Sequence, residues 1–252
     1  MEEKKAHESV RAVERALDIL LAFRPGDKSL TVAELLTRVN MSRPTLYRLL
    51  NTLEQAGFLS SSGEPQRFHL GSAVAQLAHV WLSDHRIAEL ALPVLRSLWE
   101  ETSETVALFV PDDTYRLCVA ELESNQPLSF RRGVGYREKL VRGASGRTIL
   151  SYMQLTPDEL RRYLSEPGQD LSALLNDIEQ IRAKGFGTSH HELIEGAVAV
   201  AAPFFNGANQ VAGAVCIFGP SVRVNEQKVQ QFAELLKRAT TDLSRLLGHR
   251  EG

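Results

Sequence analysis

The segment that decides the fold spans residues 30–59 and reads LTVAELLTRVNMSRPTLYRLLNTLEQAGFL. Its first part predicts a short apolar helix that Thr31 can cap, because a threonine oxygen accepts one of the unpaired N–H groups of a first turn. Asn40-Met41 then breaks the helical pattern, and a second helix is predicted over residues 42–56, because Gly57 stops it. Two short helices joined by a tight break indicate a helix-turn-helix.

The second helix has one apolar face and one polar face. We expect Ser42 to cap it with its hydroxyl, and Pro44 suits the first turn because proline lacks an N–H. Four leucines repeat at helical spacing and are expected to face a core: Leu46, Leu49, Leu50 and Leu53. The other faces carry mostly hydrogen-bond donors: Arg43, Thr45, Tyr47, Arg48 and Asn51. A short helix of this kind suits the major groove of DNA.

A β-hairpin is predicted directly after this helix. Phe58-Leu59 begins a strand, residues 60–65 are turn-like, and residues 67–70 alternate polar with apolar side chains. An apolar stripe at helical spacing predicts one more helix before the segment: Val10, Val13, Leu17, Leu20 and Leu21. Three helices beside a hairpin form the pattern of a winged helix, in which Gln66 and Arg67 are placed to contact the DNA backbone or the minor groove.

Composition and charge restrict the class of protein. Of the 252 residues, 43% are hydrophobic and 24% charged, as in a folded globular chain. No run approaches the roughly 20 apolar residues that cross a bilayer, and the start of the chain lacks the apolar core of a signal peptide. Cys118 and Cys216 are far apart in the sequence, which fits a reducing compartment. We therefore expect a cytoplasmic protein with no membrane partner.

The charge balance argues against a nonspecific coat on nucleic acid, whose affinity would come from phosphate neutralisation. The formal net charge is −2, and residues 1–72 hold ten Lys/Arg against nine Asp/Glu, a balance of +1. Such a balance permits a sequence-selective DNA binder with a few placed arginines.

The remainder of the chain predicts a linker helix followed by an α+β domain. Helices are predicted at 72–86, 87–102 (bent at Pro93), 143–153, 157–164, 171–184 and 225–247, and strands at 105–110, 115–122, 127–132, 197–205 and 210–218. Since most of these strands are joined by hairpins, with helices at both ends, we expect an antiparallel sheet.

The order of these parts resembles the IclR (isocitrate lyase regulator) family of bacterial transcription factors. The matching residues are 13–20 (VERALDIL), 42–59, 67–71 (RFHLG), 143–147 (GASGR) and 218–220 (FGP). The resemblance implies an N-terminal winged helix-turn-helix, a linker helix and a C-terminal effector-sensing domain of GAF-like fold. It also implies homodimers, often paired into homotetramers, that bind a palindromic operator in double-stranded DNA.

With this resemblance, four segments are expected. They are a flexible tail (1–9), a winged helix-turn-helix (10–71), a linker helix (72–86) and an effector-binding and oligomerisation domain (87–252). The candidate DNA-binding residues are Thr31, Ser42, Arg43, Pro44, Thr45, Tyr47, Arg48, Gln66 and Arg67. Either Arg43 or Arg48 could donate two hydrogen bonds to guanine, whereas the hydroxyl groups suit phosphate. The alternative is that these residues form an ordinary solvated helix face.

A small organic acid is the expected effector. Residues 131–147 hold six basic side chains and one acid, and the small residues Gly143, Ala144, Ser145 and Gly146 expose N–H groups at a helix start, where an anion is favoured. Arg142 is a candidate partner for a carboxylate. The alternative is that most of these arginines are surface or interface residues.

The resemblance also places Ser189, Ala199, Cys216 and Phe218 in the effector pocket. Family members that bind small oxoacids commonly carry an acidic residue, a cysteine and two serines at these positions. Here the first three are less polar or uncharged, and Phe218 replaces a hydroxyl with a ring. Fewer polar partners lower the cost of burying an apolar ligand, so we expect a larger effector than glyoxylate or pyruvate, such as an aromatic carboxylate.

Signals of catalysis are weak. Residues 191–195 (HELIE) lack the second histidine of the zinc-protease pattern, and a solvated polar loop is the favoured interpretation. Residues 143–147 lack the last glycine of a nucleophile elbow, and the sequence holds no phosphate-binding or dinucleotide-binding glycine motif. We therefore expect no catalytic residues, no cofactor and no metal. The preferred function is a repressor of a catabolic operon. The alternatives are an activator of the same type, a ligand-binding enzyme with a vestigial winged helix, or a winged helix that binds protein.

Overall fold

The computed structural model shows the chain as two compact units, Met1–Asp84 and His85–Gly252. The structure describes residues 10–24, 26–84, 87–164 and 170–250. The predicted tail, residues 1–9, lies outside the described residues. Within them, no helix combines the length and the hydropathy that crossing a bilayer requires.

The N-terminal unit is a winged helix, as predicted. Its elements are α1 (Arg11–Leu21), β1 (Leu30–Thr31), α2 (Val32–Arg38), α3 (Arg43–Gln55), β2 (Leu59–Ser62), β3 (Arg67–Leu70) and α4 (Ser72–Asp84). The three strands pair antiparallel in the order β1-β3-β2, with Leu30 opposite Phe68. Strand β1 was not expected, because two residues are too short to show an alternating pattern.

The leucine face of α3 packs into the core of this unit. Leu46 and Leu50 are fully buried against Ile19 of α1 and Phe68 of β3, while Leu49 is only partly buried. The apolar stripe of α1 behaves differently. Four of its five side chains are 51–79% exposed: Val10, Val13, Leu17 and Leu21. Helix α1 therefore uses one face for the core and leaves an apolar face uncovered in the single chain.

The two helix starts of the helix-turn-helix differ from each other. The predicted Thr31 cap is confirmed, because its hydroxyl accepts from the Glu34 N–H at 3.2 Å while its own N–H donates to the Glu34 carboxylate at 2.7 Å. Ser42 is the N-cap residue of α3, as predicted, but the cap bond expected from its hydroxyl does not form. The Ser42 hydroxyl lies 2.9 Å from the Thr45 hydroxyl and accepts no backbone N–H. A cap bonds the second or third N–H of the helix, and the second residue here is Pro44, which has none.

The C-terminal unit is an α+β domain built on an antiparallel sheet, which confirms the predicted fold class. Its elements are α5 (Ile87–Thr102), β4 (Thr105–Asp112), β5 (Tyr115–Leu122), β6 (Arg137–Lys139), α6 (Gly143–Tyr152), α7 (Pro157–Leu160), α8 (Leu171–Lys184), β7 (Gly187–His190), β8 (Ala197–Phe205), β9 (Val211–Pro220) and α9 (Glu226–Leu246). The six strands lie in the order β6-β5-β4-β9-β8-β7.

Both faces of this sheet are covered. Since side chains alternate along a strand, Val106 and Leu108 of β4 join a core with α5 and α9, whereas Ala107 and Phe109 join a second core with α6 and α8. Cys118 and Cys216 belong to the second core. The face toward α6 also carries the pocket described below.

The predicted strand at 127–132 is wrong, and the edge strand is β6 instead. Backbone groups of this stretch bond to side chains rather than to a neighbouring strand. The Thr105 hydroxyl donates to the Phe130 carbonyl at 2.7 Å, and the N–H groups of Arg132 and Gly133 donate to the Glu121 carboxylate. Strand β7 was missed because its sequence, GTSH, has no apolar alternation.

Candidate nucleic-acid interface and ligand pocket

The polar face of α3 carries two arginines, Arg43 and Arg48, whose guanidinium groups have no partner among the described residues. Ser42, Arg43, Pro44 and Arg48 are exposed, and Thr45 is half-buried beside Ser42. Neither arginine side chain forms a hydrogen bond or an ion pair with another residue that the structure describes. Both guanidinium groups therefore keep all their donors available for an outside partner.

A groove between α3 and the hairpin brings together three of the predicted DNA-binding residues: Tyr47, Arg48 and Gln66. The other residues that line it are Leu50, Asn51, Glu54 and Phe68. Gln66 is held toward the hairpin because its amide donates to the Ser61 hydroxyl at 3.0 Å, and that hydroxyl donates to Glu54 of α3 at 2.6 Å. The helix and the hairpin thus present one continuous polar surface.

Thr31 and Arg67 lie outside this groove and bond within the unit. The Thr31 hydroxyl and N–H bind Glu34, which lowers the pKa of that carboxyl. The Arg67 Nε donates to the Ser29 hydroxyl at 2.8 Å, and its Nη2 lies 3.6 Å from the Glu34 carboxylate. A phosphate contact by either side chain stays a prediction, and it would compete with these internal bonds.

A pocket of about 460 Å³, its open mouth included, lies in the C-terminal unit. Its lining residues are Phe109, Arg116, Arg132, Tyr136, Ala144, Ser145, Ser189, Glu192, Leu193, Ile194, Ala197, Ala199, Cys216 and Phe218. Six of the nine residues predicted for the effector are among them: Ala144, Ser145, Ser189, Ala199, Cys216 and Phe218. The structure therefore gathers, in one pocket, residues that lie up to 74 positions apart in the chain.

The other three predicted residues, Arg142, Gly143 and Gly146, do not line the pocket. The Arg142 guanidinium lies 3.9 Å from the Glu138 carboxylate. Gly143 has a φ of +71°, and a Cβ there would lie 2.7 Å from Leu193 Cδ1. A Cβ at Gly146 would lie 2.6 Å from both the Leu140 carbonyl oxygen and a guanidinium nitrogen. These glycines thus permit close packing around the start of α6.

That guanidinium belongs to Arg116, the buried cation that sequence reasoning missed. Arg116 is 2% exposed, and its Nη1 donates to the carbonyl groups of Lys139 (2.9 Å) and Arg142 (2.7 Å). Its Nε is buried without a hydrogen-bond partner, and the group lies 5.4 Å from the Phe109 ring centroid. Burial lowers the pKa of Arg116 from its ordinary value. Strand alternation was the available signal, since Arg116 shares a face with buried Cys118.

The helix start that was expected to bind a ligand anion is occupied by a carboxylate of the chain itself. Glu192 accepts from the Gly143 N–H and from Arg147 Nη1, both at 2.9 Å. Burial tends to raise the pKa of Glu192, but Arg147 and the Gly143 N–H outweigh it, so this pKa is lowered. Glu192 is an exposed residue of a loop, as the sequence predicted, but the bonds of its carboxylate to Gly143 and Arg147 were not expected.

The neighbouring residues of the loop have other roles. Leu193 and Ile194 line the pocket, while His191 Nδ1 lies 3.6 Å from the Glu195 carboxylate on the surface. In the part of the chain that the structure describes, no three His, Cys, Asp or Glu side chains are grouped so as to hold a metal.

The two cysteines are apolar packing residues. Burial raises the pKa of both Cys118 and Cys216 to about 12, so the thiols stay protonated at neutral pH. Cys216 thus contributes an uncharged wall to the pocket, next to the ring of Phe218.

Comparisons with known proteins agree with this architecture. The IclR helix-turn-helix domain matches residues 12–63, and the C-terminal domain of bacterial IclR transcriptional regulators matches residues 79–245. The HTH-type transcriptional regulator BhcR of Paracoccus denitrificans is 29% identical over 246 residues, covering 93% of this chain and 86% of BhcR. The regulator KdgR of Escherichia coli K12 is 26% identical over 254 residues, covering 98% and 96%.

Solved structures show the same fold. The crystal structure of Thermotoga maritima IclR superposes with a TM-score of 0.74 at 24% identity, covering 94% of this chain and 98% of that one. An IclR-type regulator from Alicyclobacillus acidocaldarius gives a TM-score of 0.75 at 24% identity, covering 95% and 100%. The predicted resemblance is confirmed, and the relatives are regulators rather than enzymes. The chain belongs to the IclR family of DNA-binding transcriptional regulators.

Proposed function

We propose that this regulator represses a catabolic operon and leaves its operator when a small organic acid binds the pocket of the C-terminal unit. The observation that carries the proposal is the pocket itself, which combines a buried guanidinium with apolar and aromatic walls. A relative, AllR of Escherichia coli K12, is a transcriptional repressor and is 24% identical over 255 residues.

The chemistry of the walls supports an acid with an apolar, aromatic body. Ala199, Cys216 and Phe218 offer a methyl group, a protonated thiol and a ring, and Phe109 adds a second ring. A two- or three-carbon oxoacid would leave these apolar surfaces in contact with water, whereas an aromatic body would cover them. We therefore favour a benzoate-like effector over glyoxylate or pyruvate.

For DNA binding, we propose that α3 enters the major groove and that the hairpin contacts the backbone or the minor groove. Arg43 and Arg48 are the candidates for guanine, and Ser42, Thr45 and Thr31 for phosphate. The uncovered apolar face of α1 supports a homodimer, or a homotetramer built from it, on a palindromic operator. Leu77 and Val80 of α4 are also about 60% exposed.

Each segment expected from the sequence has its own proposed role. We assign DNA binding to residues 10–71, a linker to residues 72–86, and effector binding and oligomerisation to residues 87–252, in a protein that works in the cytoplasm. Effector binding would shift the population toward a state with lower operator affinity. Such a coupling is typically about 1–3 kcal/mol, which is roughly a 5- to 150-fold change in affinity.

A gel-shift experiment tests the regulatory proposal. The DNA adjacent to the gene should be retarded by the protein, and benzoate-type acids should weaken this retardation roughly 5- to 150-fold. Stronger retardation with the acid would contradict release of the operator by the effector. No retardation of any adjacent fragment would contradict sequence-specific binding at that locus.

A thermal-shift panel tests the effector class. Benzoate, 4-hydroxybenzoate and phenylacetate should raise the Tm of the protein, because a ligand that binds only the folded state stabilises it. Glyoxylate and pyruvate should have little effect. Stabilisation by the two oxoacids, without stabilisation by the aromatic acids, would refute the aromatic effector.

A further inference from the structure

We propose that Arg116 binds the carboxylate of the effector, and that the start of α6 does not. This inference rests on the proposed function, because it names the residue and the charge that would select the acid. It also replaces Arg142, the cation expected from the sequence, by a side chain of β5 that bonds the Arg142 carbonyl.

The bonding of Arg116 is incomplete. The residue is 2% exposed, and among the described residues its guanidinium donates only through Nη1 and its buried Nε has no partner. No carboxylate among the described residues lies within ion-pair distance of it. A buried charge without a counter-ion is costly, whereas a bound carboxylate would supply the missing charge and acceptors.

The Arg116 guanidinium packs directly against the first turn of α6. A Cβ at Gly143 would lie 3.2 Å from Arg116 Nη2, and a Cβ at Gly146 would lie 2.6 Å from Nη1. A helix N-terminus carries partial positive charge, which adds to the cost of leaving the charge of Arg116 unneutralised. Arg116 and Ser145 both line the pocket, so a carboxylate bound there would meet the guanidinium from the pocket side.

The other arginines near the pocket already have partners. Arg147 and the Gly143 N–H share the Glu192 carboxylate. Arg142 lies at Glu138 and outside the pocket. Arg132 does line the pocket, but its guanidinium is placed over the Tyr136 ring, 4.6 Å from the centroid. Arg116 is therefore the buried cation that a ligand carboxylate would complete.

The order of the strands indicates how the ligand would lie across the sheet. Arg116 lies on β5 and Phe109 on the adjacent β4, while Cys216 and Phe218 lie on β9, two strands away from β5, and Ala199 follows on β8. A carboxylate at Arg116 would therefore extend its body across the sheet toward a thiol, a methyl group and a ring. These groups carry no charge, so we expect the part of the ligand beyond the carboxylate to be flat and apolar.

Isothermal titration of the full chain with matched acids and amides tests this assignment. The probes are benzoate, 4-hydroxybenzoate and phenylacetate, each with its neutral amide. The acids should bind about 10- to 100-fold more tightly than their amides, as expected of a charge-assisted hydrogen-bond pair. Equal binding of an acid and its amide to the wild-type protein would overturn the proposal without any variant.

Substitutions of Arg116 and Arg142 test which arginine binds the carboxylate. Arg116→Gln should reduce acid binding about 10- to 100-fold and leave amide binding unchanged, whereas the matched Arg142→Gln should change acid binding less than about twofold. Arg116→Lys, which keeps a cation, should fall between them. Operator retardation without acid checks that each variant is folded. Loss of acid binding in Arg142→Gln with retention in Arg116→Gln would also overturn the proposal.

Gel shifts separate this inference from the proposed function. If benzoate-type acids release wild-type protein and Arg116→Gln from DNA equally well, the assignment to Arg116 fails while the effector model stands. If these acids neither bind nor release the wild-type protein, the effector model fails, and the assignment fails with it.

Discussion

The two units use the same side chain in opposite ways. Arg48 of α3 is exposed and has no partner among the described residues, so water solvates its charge while no DNA is bound. Arg116 of β5 is 2% exposed and bonds two carbonyl groups, yet its buried Nε has no partner among the described residues. An exposed guanidinium can remain unbound at little cost, whereas a buried one destabilises the empty pocket.

The comparison extends to the surroundings of each arginine. Around Arg48, the groove is open and its polar groups remain in contact with solvent. Around Arg116, neighbouring charges already have partners within the chain before any ligand binds. Glu192, for example, bonds Arg147 and the Gly143 N–H. We expect substitutions on the polar face of α3 to change DNA affinity without changing stability. Substitutions around the pocket should change stability as well as ligand binding.

Arg48→Ala should give the largest effect. A bidentate arginine–guanine contact contributes about 1–3 kcal/mol, so its loss at each half-site should abolish specific operator retardation. The melting temperature should stay close to that of the wild type, since the side chain makes no bond to a described residue. Gel shift and circular dichroism measure the two quantities.

Arg96→Ala provides the matched control, because Arg96 is an exposed arginine of α5 in the other unit. It removes the same charge and should leave operator binding unchanged. Unchanged operator affinity in Arg48→Ala would remove this residue from the DNA-binding surface.

Glu192→Gln should lower stability by about 1 kcal/mol at pH 7, because it weakens the charge-assisted bonds to Arg147 and Gly143 in a side chain that is 29% exposed. The pKa of Glu192 is lowered in the folded state, so this contribution is present above the ordinary value of 4.5. It should disappear as the pH falls below 4.5 through the folded-state pKa. Differential scanning calorimetry at pH 7 and pH 3.5 measures the difference.

Glu195→Gln is the control in the same loop, since its side chain is 93% exposed. It should leave the melting temperature nearly unchanged at both pH values. A loss in Glu192→Gln that is equal at pH 7 and pH 3.5 would show that the charge of Glu192 is not the source of its contribution.

Thr31→Ala should destabilise the N-terminal unit by roughly 0.5–2 kcal/mol, because it removes the hydroxyl of the capping box with Glu34. Thr37→Ala removes an exposed hydroxyl inside α2 and should be close to neutral. Urea unfolding measures both variants. Operator affinity in Thr31→Ala, measured where the variant is fully folded, shows whether Thr31 also contacts phosphate. Equal stability of the two variants would contradict the structural role of Thr31.

The sequence predicted the elements with local signals. The start of α2 at Thr31, the leucine face of α3 and the hairpin after Gly57 each depend on residues a few positions apart. The long strands β8 and β9 also show directly in the sequence, as continuous apolar runs. The failures concern other features: residues 127–132 bond to side chains from elsewhere in the unit, and β7 owes its conformation to pairing with β8 rather than to its own composition.

The pocket also contains some residues that the sequence predicted and others that it did not. The family resemblance named Ser189, Ala199, Cys216 and Phe218, which do line it, because their positions follow from the order of the strands. The resemblance did not include Arg116, and Glu192 was assigned to solvent. The positions of Arg116 and Glu192 do not follow from local spacing, since each depends on which segment packs against the start of α6.

The sequence by itself determined the winged helix, the antiparallel domain and the family, because caps, turns and hydrophobic periodicity act over a few neighbouring residues. Only the tertiary structure decided which charges meet. Glu192 reaches the Gly143 N–H across 49 positions of the chain, and Arg116 reaches the carbonyl of Arg142 across 26. Burial and pairing of charge are properties of the packed chain, and they decide where an acid can bind.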